Sequence, residues 1–192
     1  IKCFLCMTYS IKEISTSQTA LVIMDVQAKI MSPINNKDII LENICKLLKA
    51  YEILGENIYL SEQNPFRLGS TVEELLPKTN FKIFEKMDFS IANNLELNNE
   101  LSSKNIKQLI ICGFETHICI LQSVLGFLKN NFKVYLVADS ISSRKKIDHD
   151  IAIERMRSEG AILASSESII FELCETSARV EFKEISDIIK GN

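Results

Sequence analysis

Ala20-Leu21-Val22-Ile23-Met24 is apolar without interruption. A strand with one face in water alternates apolar and polar residues, so an unbroken run of this length marks a strand covered on both faces. Leu109-Ile110-Ile111-Cys112 reads the same way and is the clearest central strand, and further strands are expected over 57–60, 81–85, 134–138 and 161–164. Between them, apolar residues recur at helical spacing. Ile39, Ile40, Ile44, Leu47, Leu48 and Ile53 predict an amphipathic helix over 38–54 with Gly55 at its C-terminal cap. Further helices are expected over 71–75, from Leu95, over 116–129, 148–158 and 167–173, and over 182–189. Asp25 and Asp139 are read as ending their strands, and Ser61-Glu62-Gln63-Asn64-Pro65 as a loop. Strands alternating with crossover helices define an α/β protein, because each helix returns the chain to run parallel to the strand before it. The expected fold is a three-layer α/β/α, Rossmann-like arrangement of six mostly parallel strands in the order 3-2-1-4-5-6. Ligands of such sheets bind beyond the strand C-termini.

With 192 residues, 46% apolar and 24% charged, the chain has the composition of one globular domain. Residues 1–18 are read as an N-terminal extension that need not be native in length, and 19–192 as the domain. A formal charge of −3 offers no broad basic surface for nucleic acid. No apolar run approaches the ~18 residues of a membrane span, and the patch at Phe4 and Leu5 is too short for a signal peptide. Six cysteines without framework spacing, and no N-x-[ST] sequon, favour a reducing compartment, cytoplasmic or organellar (the mitochondrion included), over secretion. Cys3 and Cys6 form a lone C-x-x-C with no second half, and His117 and His149 are the only histidines, so no metal site is expected.

The dinucleotide, phosphate-loop, serine-hydrolase and zinc-protease signatures are all missing from the sequence. Three reactive side chains nevertheless stand just past predicted strands: Asp25, Lys86 and Cys119. Cys119 falls in the first turn of the helix expected from Thr116, where free N–H groups and the helix dipole favour a thiolate. Such a sulfur can attack a carbonyl while a carboxylate moves the proton and backbone N–H groups hold the oxyanion. Each residue also has a structural reading: buried cysteine packs, Asp after a strand caps, and Lys is common on surfaces. Lys86 has the furthest to reach, since in the expected order its strand lies two places from the first, about 10 Å away.

Val22-Ile23-Met24-Asp25-Val26-Gln27, Phe84-Glu85-Lys86 and Gly113-Phe114-Glu115-Thr116-His117-Ile118-Cys119 together resemble the isochorismatase-like cysteine hydrolases, and within them the isochorismatase-domain-containing branch. The resemblance runs from about residue 19 to the C-terminus. It implies Cys119 as nucleophile, Asp25 as general acid/base and Lys86 as the charge that orients them, hydrolysing a small amide or related C–N or C–O bond through a thioester. It also implies a cis peptide between Phe114 and Glu115 and an oxyanion hole from the N–H groups of Ile118 and Cys119. By position, Gln27, Gln63, Phe66, Phe89, Phe114 and Thr116 are substrate-pocket candidates. Metal-dependent relatives use histidines that 61–65 lacks, so no metal and no cofactor are implied, only a small-molecule substrate. Family habit also implies a homo-oligomer.

His117 lies two residues before Cys119, a spacing at which helical side chains do not face each other, and it is read as structural. His149 is read as solvated or near a helix cap, and Arg144, Lys145 and Lys146 as a solvated charge run. A binding or scaffolding protein that keeps the fold without turnover is the alternative to an enzyme.

Overall fold

The computed structural model describes residues 14–55, 57–76, 78 and 81–191; Cys3, Cys6 and the Phe4–Leu5 patch fall outside them. Strands β1 (Thr19–Met24), β2 (Ile58–Gln63), β3 (Phe81–Lys86), β4 (Gln108–Phe114), β5 (Lys133–Ser142) and β6 (Ile162–Ala164) form one sheet in the order β3-β2-β1-β4-β5-β6. Every neighbouring pair in it is parallel. The helices are α1 (Ala28–Met31), α2 (Lys37–Leu54), α3 (Pro65–Leu68), α4 (Leu95–Ser103), α5 (Leu121–Lys129), α6 (Lys146–Ser158), α7 (Ser166–Cys174) and α8 (Phe182–Lys190).

Alternate residues of β1 serve opposite faces of the sheet. Leu21 and Ile23 pack with Ile44, Leu47, Tyr51, Ile169 and Ile185 of α2, α7 and α8, whereas Ala20, Val22 and Met24 pack with Leu97, Val124 and Met156 of α4, α5 and α6. Both faces are thus covered, as the unbroken apolar run requires. No described helix is long and apolar enough to cross a membrane.

Three local departures from expectation all occur at the C-terminal edge of the sheet. β2 continues through Ser61, Glu62 and Gln63, each buried, where a loop was expected. β5 continues past Asp139 to Ser142 because it slips against β4: Ile111 is opposite Leu136, but Gly113 is opposite Ile141. Freed from ending the strand, Asp139 accepts hydrogen bonds from the Ser166 N–H at 2.7 Å and the Ser166 hydroxyl at 2.8 Å, tying β5 to the start of α7. The expected helix over 116–129 is divided into one wide π-helical turn, Thr116–Ile120, and α5.

β1 and β4 approach unusually closely at this edge. Gly113 has φ +122°, and a Cβ there would lie 2.0 Å from the Met24 carbonyl oxygen. Only glycine satisfies both constraints. Its consequence is positional: Asp25, directly after Met24, is held beside the segment that carries Cys119.

Candidate active site

Asp25 leaves β1 with φ +54° and is fully buried. Its N–H donates to the Ser61 carbonyl at 3.0 Å, fixing the turn to β2. Its carboxylate is saturated from two sides: Oδ1 accepts from the Ser61 hydroxyl at 2.6 Å, and Oδ2 from Lys86 Nζ at 2.7 Å. Lys86, the last residue of β3, covers the distance by extending across Gln63, its register partner on β2. Nζ donates to Gln63 Oε1 at 2.6 Å on the way. The Asp25–Lys86 side chains are 0% and 3% exposed, so this is a buried ion pair, stable there only because hydrogen bonds replace the lost water.

Gln63 is itself held rigidly. Its Nε2 donates to the Met87 carbonyl at 2.8 Å, which leaves Oε1 facing Lys86 and the Cys119 thiol, 3.8 Å away. The Gln27 side-chain amide grips the Gln63 backbone on both sides, accepting from its N–H at 2.8 Å and donating to its carbonyl at 3.1 Å. Gln27 also donates to the Gly69 carbonyl.

Cys119 sits in the wide turn after β4, 6% exposed, with Asp25 and Lys86 both near enough to act on its ionisation. Burial first, and the Asp25 charge second, push its thiol up to about 12, with Lys86 opposing them. Against the helix start, which favours a thiolate, desolvation and the Asp25 charge outweigh the Lys86 ammonium and favour the thiol. The wide turn also sets the backbone donors. The Glu115 carbonyl accepts from the N–H groups of Ile118 and of Ile120, both at 3.2 Å, and passes over that of Cys119. The Ile118 N–H, expected to share an oxyanion hole with that of Cys119, is thus engaged by Glu115. The Phe114–Glu115 peptide bond is cis.

A cavity of about 200 Å³ opens on Cys119, with Gln63, Phe89, Ile118, Glu115 and Arg144 among its walls. Of the pocket residues expected from sequence, Gln63 and Phe89 line it. Gln27 does not, being consumed in the clamp on Gln63. Phe66 is 96% exposed and faces a separate groove beside Lys86 and Met87. Phe114 is buried in the core on the far face of β4. Thr116 is fully buried, its hydroxyl 3.0 Å from Nδ1 of His149.

His149, expected to be solvated or near a helix cap, lies in the first turn of α6, its N–H donating to the Lys145 carbonyl at 3.1 Å; partial burial holds its imidazole below its ordinary value. His117 turns away from the thiol and places Nδ1 2.9 Å from the Ser143 hydroxyl. Arg144 is exposed, as expected of a solvated charge run, and also borders the cavity, its Nε 2.7 Å from Glu115 Oε1. Sequence spacing gave no signal for this pair, which exists only because β5 slips past β4 and ends beside Glu115. Among the described residues no three His, Cys, Asp or Glu side chains converge as metal ligands.

The isochorismatase domain model matches residues 19–168. Isochorismatase family protein 1B of Dictyostelium discoideum is 37% identical over 96% of this chain and 92% of its own length. Isochorismatase domain-containing protein 2A of Mus musculus is 35% identical over 94% and 87%. Among solved structures, the MAR1 ribonuclease of Caenorhabditis elegans superposes with a TM-score of 0.85 at 33% identity, covering 93% of this chain and 92% of that one. With the domain match spanning most of the chain and relatives of this identity aligned nearly end to end, the chain belongs to the isochorismatase family of hydrolases.

Proposed function

We propose that the protein is a cysteine hydrolase that cleaves a small amide through a thioester on Cys119, with Asp25 as the proton carrier and Lys86 as the positioning charge. The observation that supports it most is that the thiol, in the turn after β4, opens on a cavity while the buried Asp25–Lys86 pair, from the ends of β1 and β3, lies near enough to act on its ionisation.

The chemistry follows from the protonation state. Cys119 starts as a thiol, so its proton must leave as the carbon–sulfur bond forms. The Asp25 carboxylate takes it, and Lys86 holds that carboxylate in place. Sulfur attacks the carbonyl carbon, and the Cys119 N–H donates to the oxygen as it gains charge. The carbon–nitrogen bond breaks as Asp25 returns the proton to the leaving amine. Water then attacks the thioester, losing a proton to Asp25, and the departing sulfur takes that proton back. The sum is amide plus water giving acid plus amine, with the enzyme unchanged.

Gln63, Lys86 and Asp25 form a chain with one positive and one negative charge, so the polarity of the site stays balanced while the proton moves. A phosphodiester reading is less well supported: the cavity of about 200 Å³ suits a small molecule, and the chain is acidic overall.

The test is product analysis by mass spectrometry over a panel of small primary amides and ureas, with total RNA as a further substrate. Amine or ammonia release by the parent protein, abolished in Cys119→Ala and reduced at least about 10²-fold in Asp25→Asn, is the expected result. Nucleotide release from RNA that disappears in Cys119→Ala, with no amide turned over, overturns it. So does the absence of any turnover, which favours a binding protein.

A further inference from the structure

Resting on the reading above, we infer that the substrate is a small amide carrying a carboxylate, and that Arg144, assisted by Lys29, is the residue that binds this anion. Apart from Gln63 the neutral walls of the cavity beside Cys119 are mainly apolar, Ile30, Leu68 and Phe89 among them, yet two cations, Lys29 and Arg144, stand on it against one carboxylate, Glu115. A neutral apolar amide would need neither cation. Lys29 spends one of its three donors on the Arg67 carbonyl at 2.5 Å.

Arg144, half exposed at the cavity wall, is oriented as an anion clamp. Glu115 anchors it from the Nε side at 2.7 Å, while Nη1 and Nη2 donate to no described residue. Those two nitrogens form the parallel fork that matches a carboxylate with two hydrogen bonds. Glu115 serves as the anchor of this arginine. Its Oε1 is buried and accepts no aligned hydrogen bond among the described residues, so the Arg144 contact is one of charge alone.

Arg144 also stands on the partition between two cavities. Beyond it lies a polar cleft of about 330 Å³ walled by Asn35, Asn36, Ser142 and Lys146, in which Lys146 is already paired with Asp150 at 2.5 Å. A substrate with its carbonyl at Cys119 and its carboxylate at Arg144 thus spans the apolar cavity and ends at a wall with polar room behind it.

Iodoacetate and iodoacetamide test this without a known substrate. Both transfer a carbon to sulfur with loss of iodide, and both need the same thiolate, so the ionisation of Cys119 cancels in the ratio of their rates. They differ in that one carries a carboxylate. With the intact protein, the iodoacetate-to-iodoacetamide rate ratio at Cys119, measured by peptide mass spectrometry, is expected to exceed that of glutathione in the same buffer by about tenfold or more, as one charge-assisted pair allows. Added salt lowers it. Arg144→Gln brings the ratio to within about threefold of glutathione, and Lys29→Gln lowers it less. A parent ratio equal to that of glutathione, or one unmoved by Arg144→Gln in protein with an unchanged circular dichroism spectrum, overturns the anion site and leaves the nucleophile reading standing. Failure of both reagents to label Cys119 overturns the nucleophile reading and this inference with it.

Discussion

Lys86→Met removes one partner of the buried Asp25–Lys86 pair while keeping the length of the side chain. Both groups are almost wholly out of water, so the carboxylate left behind has neither counter-charge nor solvent. Breaking such a pair costs about 3–5 kcal/mol. Asp25 keeps the Ser61 hydroxyl at 2.6 Å, which places the cost nearer about 3 kcal/mol than 5. Asp25→Asn strands the ammonium with only Gln63 Oε1 as a strong acceptor, so it should cost at least as much. In Asp25→Asn/Lys86→Met neither charge remains, and the double variant should regain at least about 2 kcal/mol over the sum of the singles. Urea denaturation followed by circular dichroism reads this directly. With a slope near ~2 kcal/mol/M, each single variant should lower the midpoint by roughly 1.5–2.5 M at an unchanged slope. Single variants that each cost under about 1 kcal/mol and add without coupling would refute the reasoning, because the two charges would then be solvated or separately compensated.

The raised Cys119 thiol gives two pH predictions. Alkylation by iodoacetamide should climb about tenfold per pH unit from 7 to 10 without levelling, whereas a plateau near pH 6–7 would mean a preformed thiolate. Because the folded value lies above the unfolded one of about 8.5, this thiol stabilises the fold fully below that pH and loses the contribution as pH rises through about 12. Unfolding midpoints should therefore fall above about pH 8.5, and less steeply in Cys119→Ala. Gln63→Glu sets a second carboxylate against Lys86 and the thiol, so alkylation at pH 8 should slow by about tenfold in protein that still folds; an unchanged rate would remove Gln63 from the polar chain. Gly113→Ala must push β1 from β4 and hold alanine at φ +122°, costing more than about 4 kcal/mol; a stable variant in thermal melts would contradict the close approach described here.

The buried centre of the fold was legible because it is written in one kind of residue. The unbroken apolar runs of β1 and β4 announce strands covered on both sides, and the helical spacing of α2 leaves little choice of partner. Legibility failed where strands carry polar residues into the site. Ser61, Glu62 and Gln63 have loop composition but are buried in β2, since Ser61 and Gln63 hold Asp25 and Lys86 and Glu62 accepts the Thr71 N–H at 2.7 Å. Asp139 looked like a strand end and is a tie to α7. At the site itself, the positions of Asp25, Lys86 and Cys119 were readable from motif spacing, but the ionisation of Cys119 was not. A helix start is visible in sequence, whereas the depth of burial that outweighs it is a property of the packed molecule. The Glu115–Arg144 pair was hidden for the same reason, being made by the slip of β5 rather than by any local pattern.

Trapping the acyl group is the most direct examination of Cys119 as a nucleophile. An amide that is turned over should, after acid quenching, leave its acyl mass on the peptide bearing Cys119, and hydroxylamine should remove it as a thioester requires. Rapid turnover accompanied by no adduct on that peptide, or by an adduct on another residue, would contradict covalent catalysis at this sulfur.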